Sequence, residues 1–161
     1  MKIGWPSIQL TARASVAAVL ALVIARWLQL DYPIYAFIAA VIVTDLEPST
    51  SRKLAVQRMF ATIVGALCGA VFSHLLPSGI LSVGVGFFAA MLLAQVLGTG
   101  EGAKVAGYIC GIVLLDHSEV SWHYAFHRFI ETAIGVAVAW LISCIPKLFD
   151  PNKPSSTKPE A

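Results

Sequence analysis

Charge is what this sequence has least of: Asp, Glu, Lys and Arg make up 12% of its residues, against about 25% in soluble domains. With 58% hydrophobic residues and a mean hydropathy of +0.79, the shortage excludes an ordinary soluble domain and leaves a membrane protein. Cysteine is scarce as well. Cys68, Cys110 and Cys144 stand isolated in apolar stretches, an odd number without close spacing, which argues against disulfides or a thiolate metal site. No Ser/His/Asp or Cys/His spacing points to catalysis, so neither an enzyme nor a cofactor is expected. Residues 98–102 (GTGEG) are glycine-rich but lack the Lys and spacing of a phosphate loop, and read as a turn. Nothing points to nucleic acid.

What the chain does have is long apolar runs, broken by Pro, Gly or charge into six segments near 8–29, 33–45, 52–76, 79–97, 103–115 and 121–146. The first, third, fourth and sixth reach ordinary spanning length. The second and fifth are too short to cross a hydrocarbon core of about 30 Å as upright helices. Lys2 ahead of the apolar run 14–25 resembles a signal peptide, with Val23-Ile24-Ala25 as a cleavage site; continuation into further spans favours a retained first helix. Residues 150–161, rich in Pro, Ser and Lys, are expected to form a disordered cytoplasmic tail after a membrane domain at 1–149. With the N-terminus inside, Lys2, Arg52, Lys53, Lys104, Lys147, Lys153 and Lys158 all fall on the cytoplasmic side. This positive-inside bias predicts six spans with both termini in the cytoplasm of an inner-membrane protein.

One pattern recurs. Residues 58–65 read RMFATIVG and residues 128–135 read RFIETAIG, the same Arg-x-x-x-Thr-x-x-Gly at an offset of 70. The offset also pairs Asp31 with Glu101, Ala36 with Ala106, Ser51 with Ser121 and Ser73 with Ser143. The halves are then about 8–76 and 79–146. Each holds three spans, an odd number, so the second half must enter the membrane from the opposite side. The predicted fold is all-α, an inverted-topology pair of three-helix repeats, with the short helices at matching positions where transporters build binding sites.

On a helix the motif makes a stripe. Arg58, Thr62, Gly65, Gly69 and Ser73 share one face of the third span, and Arg128, Thr132, Gly135, Ala139 and Ser143 share one face of the sixth. Ser51 and Ser121 read as N-caps of these helices. The small residues admit another helix closely. A charge at mid-membrane costs at least about 3 kcal/mol on insertion scales, so the arginines are expected to face a partner or a watery cavity. One reading pairs Arg58 with Asp45 or Glu47, and Arg128 with Glu131 or Glu119, as structural locks. The other has Arg13, Arg58 and Arg128 framing an anion path, with the two motif arginines near opposite mouths and the acids as gates.

The segment DYPIYAFIAAVIVTDLEPSTSRKLAVQR leading into the first motif resembles the fusaric acid resistance and aromatic acid exporter family, to which plant aluminium-activated malate transporters are distantly similar. The segments LTARASVAAVLALVIARWL and AFHRFIETAIGVAVAWLIS fit the same pattern, so the resemblance covers residues 8–146. It implies six-helix units that work in pairs and export organic anions, aromatic carboxylates among them, past basic residues; Arg13, Arg58 and Arg128 are the positions it selects. The chain has neither a second unit nor a large cytoplasmic domain, so a homodimer or larger oligomer is expected.

Two other readings remain. The small-residue stripes could dock partners in a membrane assembly subunit that transports nothing. Alternatively, His123 and His127, four residues apart, could hold a divalent cation with His117 or Glu119, as a site or a channel. Set against that is an interfacial loop with a Trp/Tyr belt, or histidines that carry protons.

Overall fold

The computed structural model describes residues 5–77, 79–100, 102–116 and 121–145, and these form six helices and no strand. They are α1 (Trp5–Trp27), α2 (Ile34–Val43), α3 (Pro48–Leu75), α4 (Ile80–Val96), α5 (Gly102–Asp116) and α6 (Ser121–Cys144). Within α1, α3 and α6, runs of 22, 28 and 23 residues are long and apolar enough to cross a membrane. The other three helices are shorter. α4 has 17 residues, fewer than the 79–97 run suggests, because a glycine turn stops it. Gly98 takes a left-handed φ of +77°, and the amides of Gly98 and Thr99 return to the carbonyls of Gln95 and Ala94, a Schellman closure. α1 closes the same way with Gln29 at φ +53°.

α3 starts earlier than the sequence suggests. Pro48 occupies its first turn, where a fixed φ suits a helix and the missing N–H costs nothing. Ser51 is therefore no N-cap. It lies fully buried inside the first turn, where its hydroxyl accepts from the Asp45 amide, donates to the Val43 carbonyl, and meets the Ser143 hydroxyl at 2.6 Å. This last bond joins the start of α3 to the end of α6, so the two run antiparallel. Ser121 is the first residue of α6. The sequence reading of the tail, of His117 and of Glu119 falls outside the described residues.

The third helix of each half packs on the second helix of the other: α3 lies against α5, and α6 against α2. α3 and α6 also pack on each other, while α1 covers α2 and α6, and α4 covers α5 and α3. Exchanging α1 with α4, α2 with α5 and α3 with α6 leaves this set of packed pairs unchanged. The closest crossings repeat as well. A methyl built on Gly65 would stand 2.5 Å from the Ala106 carbonyl oxygen, and one on Gly135 would collide with the Ala36 carbonyl oxygen. Each member of the second crossing lies 70 residues from its equivalent in the first. One turn further on, a methyl on Gly69 would reach Val113, while Ala139 shares a core cluster with Val43.

The core is built largely of alanine: Ala17, Ala21, Ala25, Ala36, Ala40 and Ala139 form one cluster with Val43, and none of these seven is exposed. Large apolar side chains point outward instead, with Ile80, Leu81 and Phe88 at 89, 85 and 68% exposure. A soluble protein would not leave so much contiguous apolar surface in water, whereas lipid is a good solvent for it and helices then associate through close packing of small residues. These helices belong in a membrane.

Candidate functional site

Arg58 lies ten residues into α3, roughly 15 Å from its start at a rise of about 1.5 Å per residue. Both it and Arg128 are almost completely buried, at 2 and 1% exposure. From the Ser51–Ser143 contact, moving eleven residues along each antiparallel helix (51 to 62, 143 to 132) leads to Thr62 and Thr132, which therefore lie near one level. The arginines stand one turn to either side of that level. They converge on Tyr108 of α5, whose ring centre is 5.5 Å from the Arg58 guanidinium carbon and 5.9 Å from that of Arg128. The sequence suggested opposite mouths for them. Their shared approach to one ring, supplied by the short helix α5, makes them neighbours instead.

The remaining tyrosines gather beside them. The Arg128 guanidinium sits 3.1 Å from the ring centre of Tyr35, from α2, close enough to stack. Tyr35 in turn meets Tyr32 and the buried Tyr124 edge-on or tilted, with ring centres 6.1 and 6.4 Å away. Tyr32 and Tyr124 are 5.3 Å apart. Tyr35 and Tyr108 thus face the two cations, and Tyr32 and Tyr124, the other tyrosines of the chain, pack on Tyr35.

No acid among the described residues is hydrogen-bonded to or ion-paired with either guanidinium. None of the three nitrogens of Arg58, nor of Arg128, has a hydrogen-bond partner. Asp45 is too near the start of α3 to reach Arg58; its carboxylate accepts from the Glu47 amide. Glu131, one turn beyond Arg128 on α6, is fully buried but turned to the Tyr32 amide, which donates to Oε1 at 2.7 Å. Its Oε2 has no partner. The structure therefore makes none of the expected ion pairs with Asp45, Glu47 or Glu131.

The two threonines differ. Thr62 bonds back to the Arg58 carbonyl at 2.9 Å, whereas the Thr132 hydroxyl is buried without a partner. Arg13 belongs elsewhere. It donates to the carbonyls of Ile145 at 2.7 Å and Leu46 at 3.3 Å, satisfying an orphan carbonyl at the end of α6. That end lies 17 residues from Arg128, roughly 25 Å along the helix.

Two unbalanced guanidinium groups, one free hydroxyl and a set of aromatic faces suit one ligand chemistry. A carboxylate can bridge guanidinium forks, and an attached ring can stack on tyrosine. Sequence reasoning finds the cations but misses the tyrosines; only Tyr124, in the segment read as an interfacial belt, draws attention. The available signal was Tyr108, a phenol within the apolar run 105–115 of a short helix.

No curated protein and no solved structure matches this chain. The profile of the fusaric acid resistance protein-like family, by contrast, matches residues 20–142, from the end of α1 through all but the last residues of α6, and so takes in the arginine pair. The chain belongs to the fusaric acid resistance protein-like family, a family of membrane transporters and exporters.

Proposed function

We propose that the protein moves small organic anions, aromatic carboxylates foremost, across the inner membrane through the space that Arg58 and Arg128 share. The observation that carries this reading is the pair of buried guanidinium groups with no bonded partner around Tyr108. Burying an unpaired charge costs several kcal/mol per ion, and a passing carboxylate offsets that cost for both arginines at once. Thr132 adds a hydroxyl donor at the same level, and the tyrosine rings favour an aromatic substrate over an aliphatic one.

The path runs between two inverted three-helix repeats. Support for the inversion comes from helix packing that is unchanged when the halves are exchanged, and from the equivalent Gly65–Ala106 and Gly135–Ala36 crossings. Both termini are cytoplasmic in this arrangement, and the chain works as a homodimer or larger oligomer, as the family resemblance implies. Glu131, with one carboxylate oxygen unbonded and one turn from Arg128, acts as a gate that competes with substrate for the guanidinium.

Purified protein in liposomes tests the reading. Under a benzoate gradient the reversal potential should follow the anion and ignore the accompanying cation. A reversal potential that follows the cation, or vesicles no leakier than empty ones, would remove the anion reading.

A further inference from the structure

A second polar cluster lies off the arginine pair, where the connection between α1 and α2 meets the first two turns of α6. His123 and His127 are one turn apart on α6, and their rings stack with centres 4.2 Å apart. Asp31, from the connection, brings Oδ2 to 3.3 Å from Nδ1 of His127. One ligand-capable atom from each of the three lies within 4.8 Å of the others. Nδ1 of His127 is itself buried, and the approach of Asp31 is not aligned to give it a hydrogen bond. That nitrogen is therefore held beside a carboxylate and a second imidazole with no hydrogen bond of its own.

We propose that Asp31, His123 and His127 form a binding site for a divalent transition-metal ion of the zinc class. Two imidazoles and one carboxylate are the donor set that zinc takes in open, three-ligand sites. Tetrahedral bonds of about 2.0–2.1 Å need donor atoms about 3.3 Å apart, a contraction that side-chain rotation can supply. A simple His127–Asp31 ion pair leaves His123 without a role and would set a second imidazole against a cation. A metal uses both rings as neutral ligands. Asp31 is half exposed and His127 is 22% exposed, so the ion would enter from water and keep an open position for it.

The site also has a mechanical consequence. Asp31 adjoins Tyr32, whose amide holds Glu131, and His127 adjoins Arg128, on which Tyr35 stacks. A bound ion would pin the α1–α2 connection to α6 and so fix the tyrosines that cover Arg128. It is a regulatory clamp beside the arginine pair, and its existence does not depend on what passes there.

The test is metal binding by the purified, tag-free protein, read by the visible absorption of added Co2+ and its displacement by Zn2+. One equivalent per chain with the intense bands of a tetrahedral site is expected. Asp31→Asn and His123→Asn should each weaken binding at least about tenfold, and His74→Ala, on the last turn of α3, should change nothing. If either variant fails to fold, Zn2+ should still protect both His123 and His127 of the natural protein from diethylpyrocarbonate, read by mass spectrometry. No Co2+ or Zn2+ uptake by the natural protein, unchanged uptake in folded variants, or equal modification of the two histidines with and without Zn2+ would each overturn the site.

Discussion

Replacing Arg128 by glutamine should lower organic-anion flux in liposomes at least about tenfold and leave the folded protein as stable as before, or more so. The loss follows from the contact removed: a hydrogen bond to a charged group is worth about 1.5–3 kcal/mol, which is roughly a ten- to hundredfold change in a rate that depends on it. The stability half of the expectation follows from the missing counter-ion. A buried arginine in an ion pair leaves a stranded acid when removed, and that costs about 3–5 kcal/mol. Arg128 and Arg58 strand no hydrogen-bonded acid, because none of their nitrogens is bonded. Glutamine there relieves a desolvated charge. Arg58→Gln should behave alike, and Arg128→Lys should fall between, because an ammonium keeps the charge but loses the planar stack on Tyr35. A thermal-shift measurement beside the flux assay separates the two roles. If both variants melt well below the natural protein, the arginines are locks.

The second large effect concerns shape alone. Gly135→Leu and Gly65→Leu should each prevent isolation of a monodisperse protein, because the new side chain has to enter backbone that cannot retreat. Adding methylenes to a packed core costs about 1–3 kcal/mol even when flexible side chains can yield. Here the obstacle is a helix carbonyl, that of Ala36 for Gly135 and of Ala106 for Gly65. The alanine variants should survive with clearly lowered melting temperatures. Gly84→Ala is the control: nothing lies within 4 Å of its added methyl, and alanine favours the helix. Size-exclusion profiles and melting curves in detergent decide it. Equal behaviour of Gly84→Ala and Gly135→Ala would mean the crossing is looser than its geometry implies.

Local signals told a good deal about this fold. Apolar runs located all six helices, because helix formation and periodicity are written within short windows. The turn at Gly98 and the proline start of α3 moved helix ends by only a few residues. The partners of each stripe were a different matter. Periodicity says which residues share a face, not which distant helix that face meets. The acids nearest in sequence were the natural candidates for Arg58 and Arg128, yet the tyrosines of α2 and α5 reached them first. That outcome depends on α3 packing on α5 and α6 on α2, a crossing between halves that no local pattern encodes. The bond from Arg13 to the Ile145 carbonyl was hidden for a similar reason: it is visible only once α1 and the end of α6 lie together.

The central claim is that an anion can reach the arginine pair from water, and Thr132 is the place to ask. In a protein with its three native cysteines replaced by serine, Thr132→Cys should react with a sulfonate-bearing methanethiosulfonate much faster than with the trimethylammonium reagent of similar size. Adding Arg58→Gln and Arg128→Gln should erase that preference. Failure of both reagents to react, or equal rates for the two charges while both arginines are present, would contradict an anion path at this site.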